Sequence, residues 1–425
     1  MSPGEPILII CHSFPPVFGI GGRRWAKFAK ELARRGHPVH VIRSTGPKDG
    51  KPSLWIADVQ YPNIIAHPLP QRYPTVLMKQ PLTSIREKVI YRVWLQLLPL
   101  LTKGNWYDRT IFWRKQLLYK AEELIAEHGI RNVIVTGAPF SLLSHAAELK
   151  QRIPGIHLVA DFRDPWTWGP YYGQSSMSEK RMADEREKES LVAKAFDKLI
   201  SPHANIVEHL RMTYGGAADR FVTLPHAIDL DELRRRTSQE PDGVFRMLYA
   251  GSLYGAEEAE VYFEQVLRAF EALRVNNPRA FAKSKLDLFI TGHGTKAYEE
   301  KVNARSLAEQ VRFNITLPPK EIFQRIADAD LVLTFIPNVN KNLLGTKFNE
   351  IFYLRRPVLH IGEPGLVSRT IVERKLGASM RVDELVRELP RIISGERKIE
   401  IDLEADHSAV LLGPITDRLI NEVLI

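Results

Sequence analysis

Short, wholly apolar runs alternate along the chain with longer stretches whose apolar positions recur every three or four residues. The first run, ILIICHSF at 7–14, has the continuous hydrophobicity of a strand covered on both faces. A glycine loop, PPVFGIGG at 15–22, follows it. RRWAKFAKELARRG at 23–36 then places Trp25, Phe28, Ala29 and Leu32 on one helical face, and Gly36 ends the helix. HPVHVI at 37–42 is the next predicted strand. Strand, glycine turn, helix and strand make a βαβ unit, which calls for a parallel sheet with ligands at the carboxyl ends of its strands.

The alternation resumes with helix 115–128, strand 132–137, helix 140–152, strand 157–161, helix 178–195, strand 198–202, helix 204–213 and strand 220–225. Residues 226–243 are polar and turn-rich, as a linker would be. A second series follows: strand 245–251, helix 256–275, strand 286–292, helix 295–309, strand 311–317, helix 319–327, strand 331–337, helix 346–354 and strand 357–362. Residues 408–425 form a terminal helix in this scheme. The expectation is an α/β protein of two Rossmann-like domains, 1–228 and 229–407, facing a central cleft and followed by the helix 408–425.

Composition agrees with that organisation. A chain of 425 residues exceeds one ordinary core, and 44% apolar with 26% charged residues is the balance of a globular protein. The one cysteine, Cys11, excludes an internal disulfide and a cysteine-based zinc site, and suits a reducing, cytoplasmic location. The opening MSPGEPILIICHSF lacks the basic and long apolar regions of a signal peptide, and the apolar run VWLQLLPLL at 93–101 is far short of a membrane span.

The net charge of +9 is concentrated. Between Gln71 and Lys120 ten basic residues face only Glu87 and Asp108, and Trp94, Trp106 and Trp113 lie in the same stretch. Residues 71–120 are therefore expected to be a basic, aromatic insertion in the first domain. It suits an anionic membrane surface, giving a peripheral association, or a charged lipid-linked acceptor; an ordinary insertion with solvated lysines is the alternative. No nucleic-acid module is present, so no nucleic-acid partner is expected.

Four groups of residues carry candidate chemistry. Gly19, Gly21 and Gly22 stand before a predicted helix, where bare backbone and free amides suit a phosphate, and Arg23 and Arg24 add positive charge there. The spacing is not that of a dinucleotide fingerprint. DFRDPW at 161–166 puts Asp161, Arg163 and Asp164 at a strand end, where they would orient sugar hydroxyls or supply a base, or else pin a loop as an ion pair.

Gly345 precedes a helix bearing Lys347 and Glu350 three residues apart. Free amides and Lys347 suit a diphosphate, and Glu350 suits ribose hydroxyls; a surface Lys–Glu pair is the alternative. Gly251-Ser252 and Gly292-His293-Gly294 are glycine turns at strand ends. His203 and His226 also follow strands. Asp328 and Asp330 flank Ala329 at the amino end of a strand, where capping is the expected role. No catalytic metal and no cofactor are expected.

Taken in order, PPVFGIGGRRWAKFAKELARRGHPVHVI, DFRDPW, LPHAIDLDEL, MLYAGSL and GTKFNEIFYLRRPVLHIGEPG resemble the landmarks of the family-four glycosyltransferases of bacterial surface-polysaccharide synthesis, over nearly the whole chain. The resemblance implies the two-domain GT-B architecture, with its C-terminal helix returning toward the first domain. It implies metal-independent transfer of a hexose from a nucleotide-diphosphate sugar, with retention, to a glycan or lipid-linked acceptor. It puts Glu350 on the ribose, Lys347 near the diphosphate, and Gly21 and Gly22 near diphosphate and sugar.

The chain departs from the pattern where the family's first motif glutamate is Asn342, where GSLYGAEEAE lacks the usual arginine and lysine, and where VTGAPF lacks a histidine. Asp164 is then the candidate base. A non-catalytic GT-B scaffold and an epimerase-like enzyme are the competing classes.

Overall fold

The computed structural model describes residues 4–46, 52–79, 81–169, 177–233, 242–253, 256–291 and 294–425. Two compact units emerge: Met1–Ala227 together with Leu412–Ile425, and Ile228–Leu411.

The first unit is built on seven parallel strands: β1 (Ile7–Ile10), β2 (Val39–Ser44), β3 (Ile64–Leu69), β4 (Asn132–Gly137), β5 (His157–Phe162), β6 (Lys198–Ser201) and β7 (Phe221–Thr223), in the order β3-β2-β1-β4-β5-β6-β7. In register, Ile9 lies between Val41 and Ile134. β1, β4 and β5 are buried along their whole length, because helices cover both faces.

Alternate residues serve the two faces. Leu8, Ile10, Val133 and Val135 pack against Leu117, Ala121, Leu142 and Ala146 of helices 114–128 and 141–152. Ile7, Ile9 and Ile134 pack against Trp25, Phe28 and Leu32 of helix 23–34 and against Leu412, Ile415 and Leu419 at the C-terminus. The tail is therefore part of this unit's core. Its last residue exchanges two hydrogen bonds with the Asn132 side chain, at 2.9 and 3.0 Å.

The segment 71–120 is not one insertion. Trp113 is fully buried in the core, and Arg114, Lys115 and Lys120 belong to the sheet-covering helix 114–128. What stands apart is a helix over Ile85–Leu101, opened by a capping box between Ser84 and Glu87.

The second unit repeats the plan with six parallel strands: β8 (Phe245–Gly251), β9 (Ser284–Ile290), β10 (Val311–Phe313), β11 (Leu331–Phe335), β12 (Val358–Ile361) and β13 (Gly377–Met380), ordered β10-β9-β8-β11-β12-β13. Met247, Leu288, Leu333 and Leu359 face Phe263, Leu267 and Phe270 of helix 256–276. Leu248, Phe289 and Val332 face Phe323, Phe348, Ile351 and Val367 on the other side.

β13 and the helices 366–373 and 385–393 extend the unit beyond the last predicted strand. Asp330 lies at the amino end of β11, where it exchanges hydrogen bonds of 2.8 and 2.9 Å with the backbone of Arg246, a strand-starting contact.

Candidate functional site

In each sheet the strand order reverses at one place, between β1 and β4 and between β8 and β11. The loops leaving such a switch point diverge and open a crevice at the carboxyl ends of the strands.

At the switch point of the second unit three separated segments meet. Helix 346–353, which follows β11, buries Phe348, Ile351 and Phe352, and this packing aims Lys347 along the sheet's carboxyl edge. Its ammonium donates to the Ala250 carbonyl at 3.0 Å. It lies 3.8 Å from where a Cβ on Gly251 would stand, an ordinary van der Waals distance that places the cation beside this strand end.

The next turn is held rigid. Tyr249 Oη donates to the Ser252 carbonyl at 3.0 Å, and the Ser252 hydroxyl lies 2.8 Å from that of Thr291. Gly345 caps the helix without any side-chain acceptor for the first amides. Glu350, one turn on, is 1% exposed. Lys347 and Glu350 are thus not a surface pair: the ammonium goes to a strand end and the carboxylate is buried. A buried carboxylate is costly, and such groups are kept where a specific partner or function requires them.

Gly251, Ser252 and Lys347 therefore come together. Gly292 lies outside the described residues. Asn342, in place of the expected glutamate, accepts from the Leu366 amide at 3.0 Å and so caps helix 366–373. Thr291 and Tyr249 were not singled out from sequence, although Thr291 immediately precedes the glycine turn.

At the switch point of the first unit the outcome is different. Asp161 is completely buried. Its Oδ2 accepts from Trp25 Nε1 at 2.7 Å and from the Thr136 hydroxyl at 2.9 Å, and its Oδ1 lies 3.4 Å from Arg24 Nε. Asp161 is an internal anchor, which corrects its expected place in an acceptor site. Arg24 is equally committed, donating to the carbonyls of Leu224 and Pro225 at 2.7 and 3.0 Å. Its charge at the helix start is met by the protein itself.

Arg163 donates to the Gly137 carbonyl at 2.9 Å and to those of Ala138 and Gly21. It ties the loop after β4 to the glycine loop, so its expected direct contact with acceptor becomes a positioning role. Gly21 is partly exposed under this guanidinium, whereas Gly22 is buried. A Cβ at Gly22 would lie 2.2 Å from the Ser13 carbonyl oxygen. Backbone cannot yield as a flexible side chain can. Gly22→Ala is therefore expected to cost about 1–3 kcal/mol in unfolding stability, as overpacking does, measured by urea denaturation. An unchanged midpoint would show that the loop yields.

Asp164 remains half-exposed beyond β5. Near it, at the ends of β6 and β7, the rings of His203 and His226 meet edge to face with centroids 5.7 Å apart. Burial holds the His203 imidazole down at about 4, while the Asp164 carboxylate pulls the other way and Arg24 adds to the depression. Burial, with Arg24 adding to it, also holds His226 well below the usual imidazole range. Both imidazoles are neutral at pH 7, with His203 next to the candidate carboxylate.

Residues 21–227 match the glycosyl transferase 4-like domain. No curated protein matches the chain in sequence. Among solved structures, the sucrose-phosphate synthase of Thermosynechococcus elongatus is similar at 14% identity and a TM-score of 0.59, over 99% of this chain and 95% of that one. WaaG, a glycosyltransferase involved in lipopolysaccharide biosynthesis, is similar at 16% identity and a TM-score of 0.52, over 91% and 90%. The UDP-GlcNAc 2-epimerase of Methanocaldococcus jannaschii is similar at 11% identity and a TM-score of 0.54, over 98% of both chains. With two parallel sheets of this order and a glycosyl transferase 4-like domain in the first unit, the chain resembles the family-four glycosyltransferases of GT-B fold.

Proposed function

We propose that the protein transfers a hexose from a nucleotide-diphosphate sugar to a glycan or lipid-linked acceptor in cell-surface polysaccharide or glycolipid synthesis, without a metal and with retention. One observation carries the proposal: the Lys347 ammonium is fixed at the carboxyl end of β8, beside Gly251 and one residue inside the start of helix 346–353.

A helix start and a cation side by side are what a diphosphate needs, since the amides and the ammonium converge on one anion. As the anomeric bond breaks, negative charge grows on the departing diphosphate, and Lys347 stabilises it more than it stabilises the ground state. Glu350 accepts from the ribose, and Gly251, Ser252 and Gly292 let the nucleotide approach the backbone. In the first unit Asp164 serves as base toward the acceptor, with His203 beside it. The surface-polysaccharide role draws on the likeness to WaaG.

The test is a thermal-shift panel of nucleoside diphosphates and their sugars on the wild type and Glu350→Ala. A ligand at 100 times its Kd adds about 2.7 kcal/mol, which raises the midpoint by at least about two degrees at this size. A rise with one nucleotide, lost in the variant, supports the donor site. No rise with any nucleotide overturns it in favour of a non-catalytic scaffold. Conversion of the donor's sugar with no acceptor present overturns it in favour of an epimerase.

A further inference from the structure

Helix 85–101 carries its apolar residues on the outside. Only Leu98 is buried, while Ile85 and Leu100 are each 82% exposed and Leu101 62%. At about 100° per residue, Ile85, Val89, Leu100, Val93, Leu97 and Leu101 fall, with Ile90, on one continuous arc of about 160°, interrupted only by Arg86 and Gln96. All seven are exposed. An aliphatic stripe of about 26 Å facing solvent is more than the scattered surface leucines of an ordinary domain, and marks a surface that is covered in use.

The helix is firmly mounted at one end. Leu98 enters the protein, and Arg181 of helix 179–195 donates to the carbonyls of Pro99, Thr102 at 3.2 Å and Gly104 at 2.6 Å. The apolar face is therefore presented on a rigid support. Charge identifies its occupant. Arg86, Lys88 and Arg92 are all exposed, the last two flanking the arc beside Ile85. Glu87, the one acid of the helix, points away and is engaged by the amides of Thr83 and Ser84 at 2.8 and 3.2 Å and by Lys79.

A second copy packed on this face would bury Arg86 inside an apolar contact, and the helix's one acid, Glu87, is already engaged elsewhere. Anionic headgroups above an acyl boundary complement both features at once. No helix among the described residues is long and apolar enough to cross a membrane, so the helix would lie in the interface plane.

We infer that helix 85–101 docks the protein on an anionic phospholipid bilayer, with Val89, Val93 and Leu97 entering the acyl boundary and Arg86, Lys88 and Arg92 meeting the headgroups. Docking is independent of the donor site: loss of vesicle binding leaves nucleotide binding unchanged, and the reverse holds for Lys347 variants.

The experiment is co-sedimentation of the full chain with vesicles of phosphatidylcholine containing one-third phosphatidylglycerol, against pure phosphatidylcholine. Wild type is expected to partition at least tenfold better into the anionic vesicles, and Val89→Gln with Val93→Gln to lower that partition at least tenfold. Arg86→Gln, Lys88→Gln and Arg92→Gln together should remove the preference for anionic lipid.

Leu97→Cys carrying a polarity-sensitive dye gives a second measurement that needs no destabilising change, because Cys11 is buried. Its emission should shift to the blue on anionic vesicles only. Equal partition into both vesicles, an unchanged double variant, or an unshifted dye overturns the inference. So does a wild-type dimer in sedimentation velocity that the Val89→Gln, Val93→Gln pair converts to monomer, since the face would then belong to a second copy.

Discussion

Lys347→Ala is expected to lower turnover at least about tenfold at saturating donor, with little change in the unfolding midpoint. The ammonium sits at the carboxyl end of β8 through its 3.0 Å bond to Ala250 and is only partly buried, so its loss removes charge without opening the core. A preorganised donor aimed at developing charge is typically worth 10²- to 10³-fold where it acts directly on the transition state.

Glu350→Gln should behave differently. A ribose contact is remote from the breaking bond and is felt equally in ground and transition states, so KM for the donor rises about tenfold while kcat holds. A kcat unaltered in Lys347→Ala would remove Lys347 from the leaving-group site. A kcat loss in Glu350→Gln that matches the loss in kcat/KM would mean that Glu350 acts on the chemistry.

The second large effect is on stability. Asp161→Ala should destabilise the first unit by about 3–5 kcal/mol, because it strands the buried Arg24 guanidinium and removes the acceptor of Trp25 Nε1 and the Thr136 hydroxyl. Asp161→Asn keeps an acceptor but no charge, and should fall between the wild type and the alanine variant. Urea unfolding followed by tryptophan fluorescence reads both. If Asp161→Ala unfolds like the wild type and loses only acceptor affinity, the carboxylate belongs to the site after all.

The two variants separate residues that look alike in the sequence. DFRDPW offers two carboxylates and an arginine at a strand end, a pattern that serves sugar hydroxyls or an internal ion pair equally well. Asp161 is taken up by Trp25 and Arg24 from helix 23–34, more than 130 positions earlier, while Asp164 stays half-exposed. Lys347 was legible as a phosphate-binding candidate because a glycine, a helix start and a preceding strand are all local. Its anchor at Ala250, and the meeting of His203 with His226, were not legible, since neither partner is near in the chain.

Among the strands, the central ones stood out as continuous apolar runs because both their faces are covered. The edges did not. β3 contains Pro68, which an edge strand tolerates because one side makes no ladder bonds, and β13 is only Gly-Ala-Ser-Met. The basic stretch 71–120 misled for the opposite reason. Charge counts along a chain ignore direction, so they merge Trp113, buried in the core, with the exposed helix 85–101.

By itself the sequence determined the alternation of strands and helices, the division into two parallel-sheet units, and the positions of the glycine turns. Each depends on residues within a turn or two of one another, through periodicity and backbone sterics. Only the tertiary structure decided which charged groups are spent inside the protein and which face outward. A charge's partner is set by the distant segment that packs against it, and burial makes that choice energetically decisive.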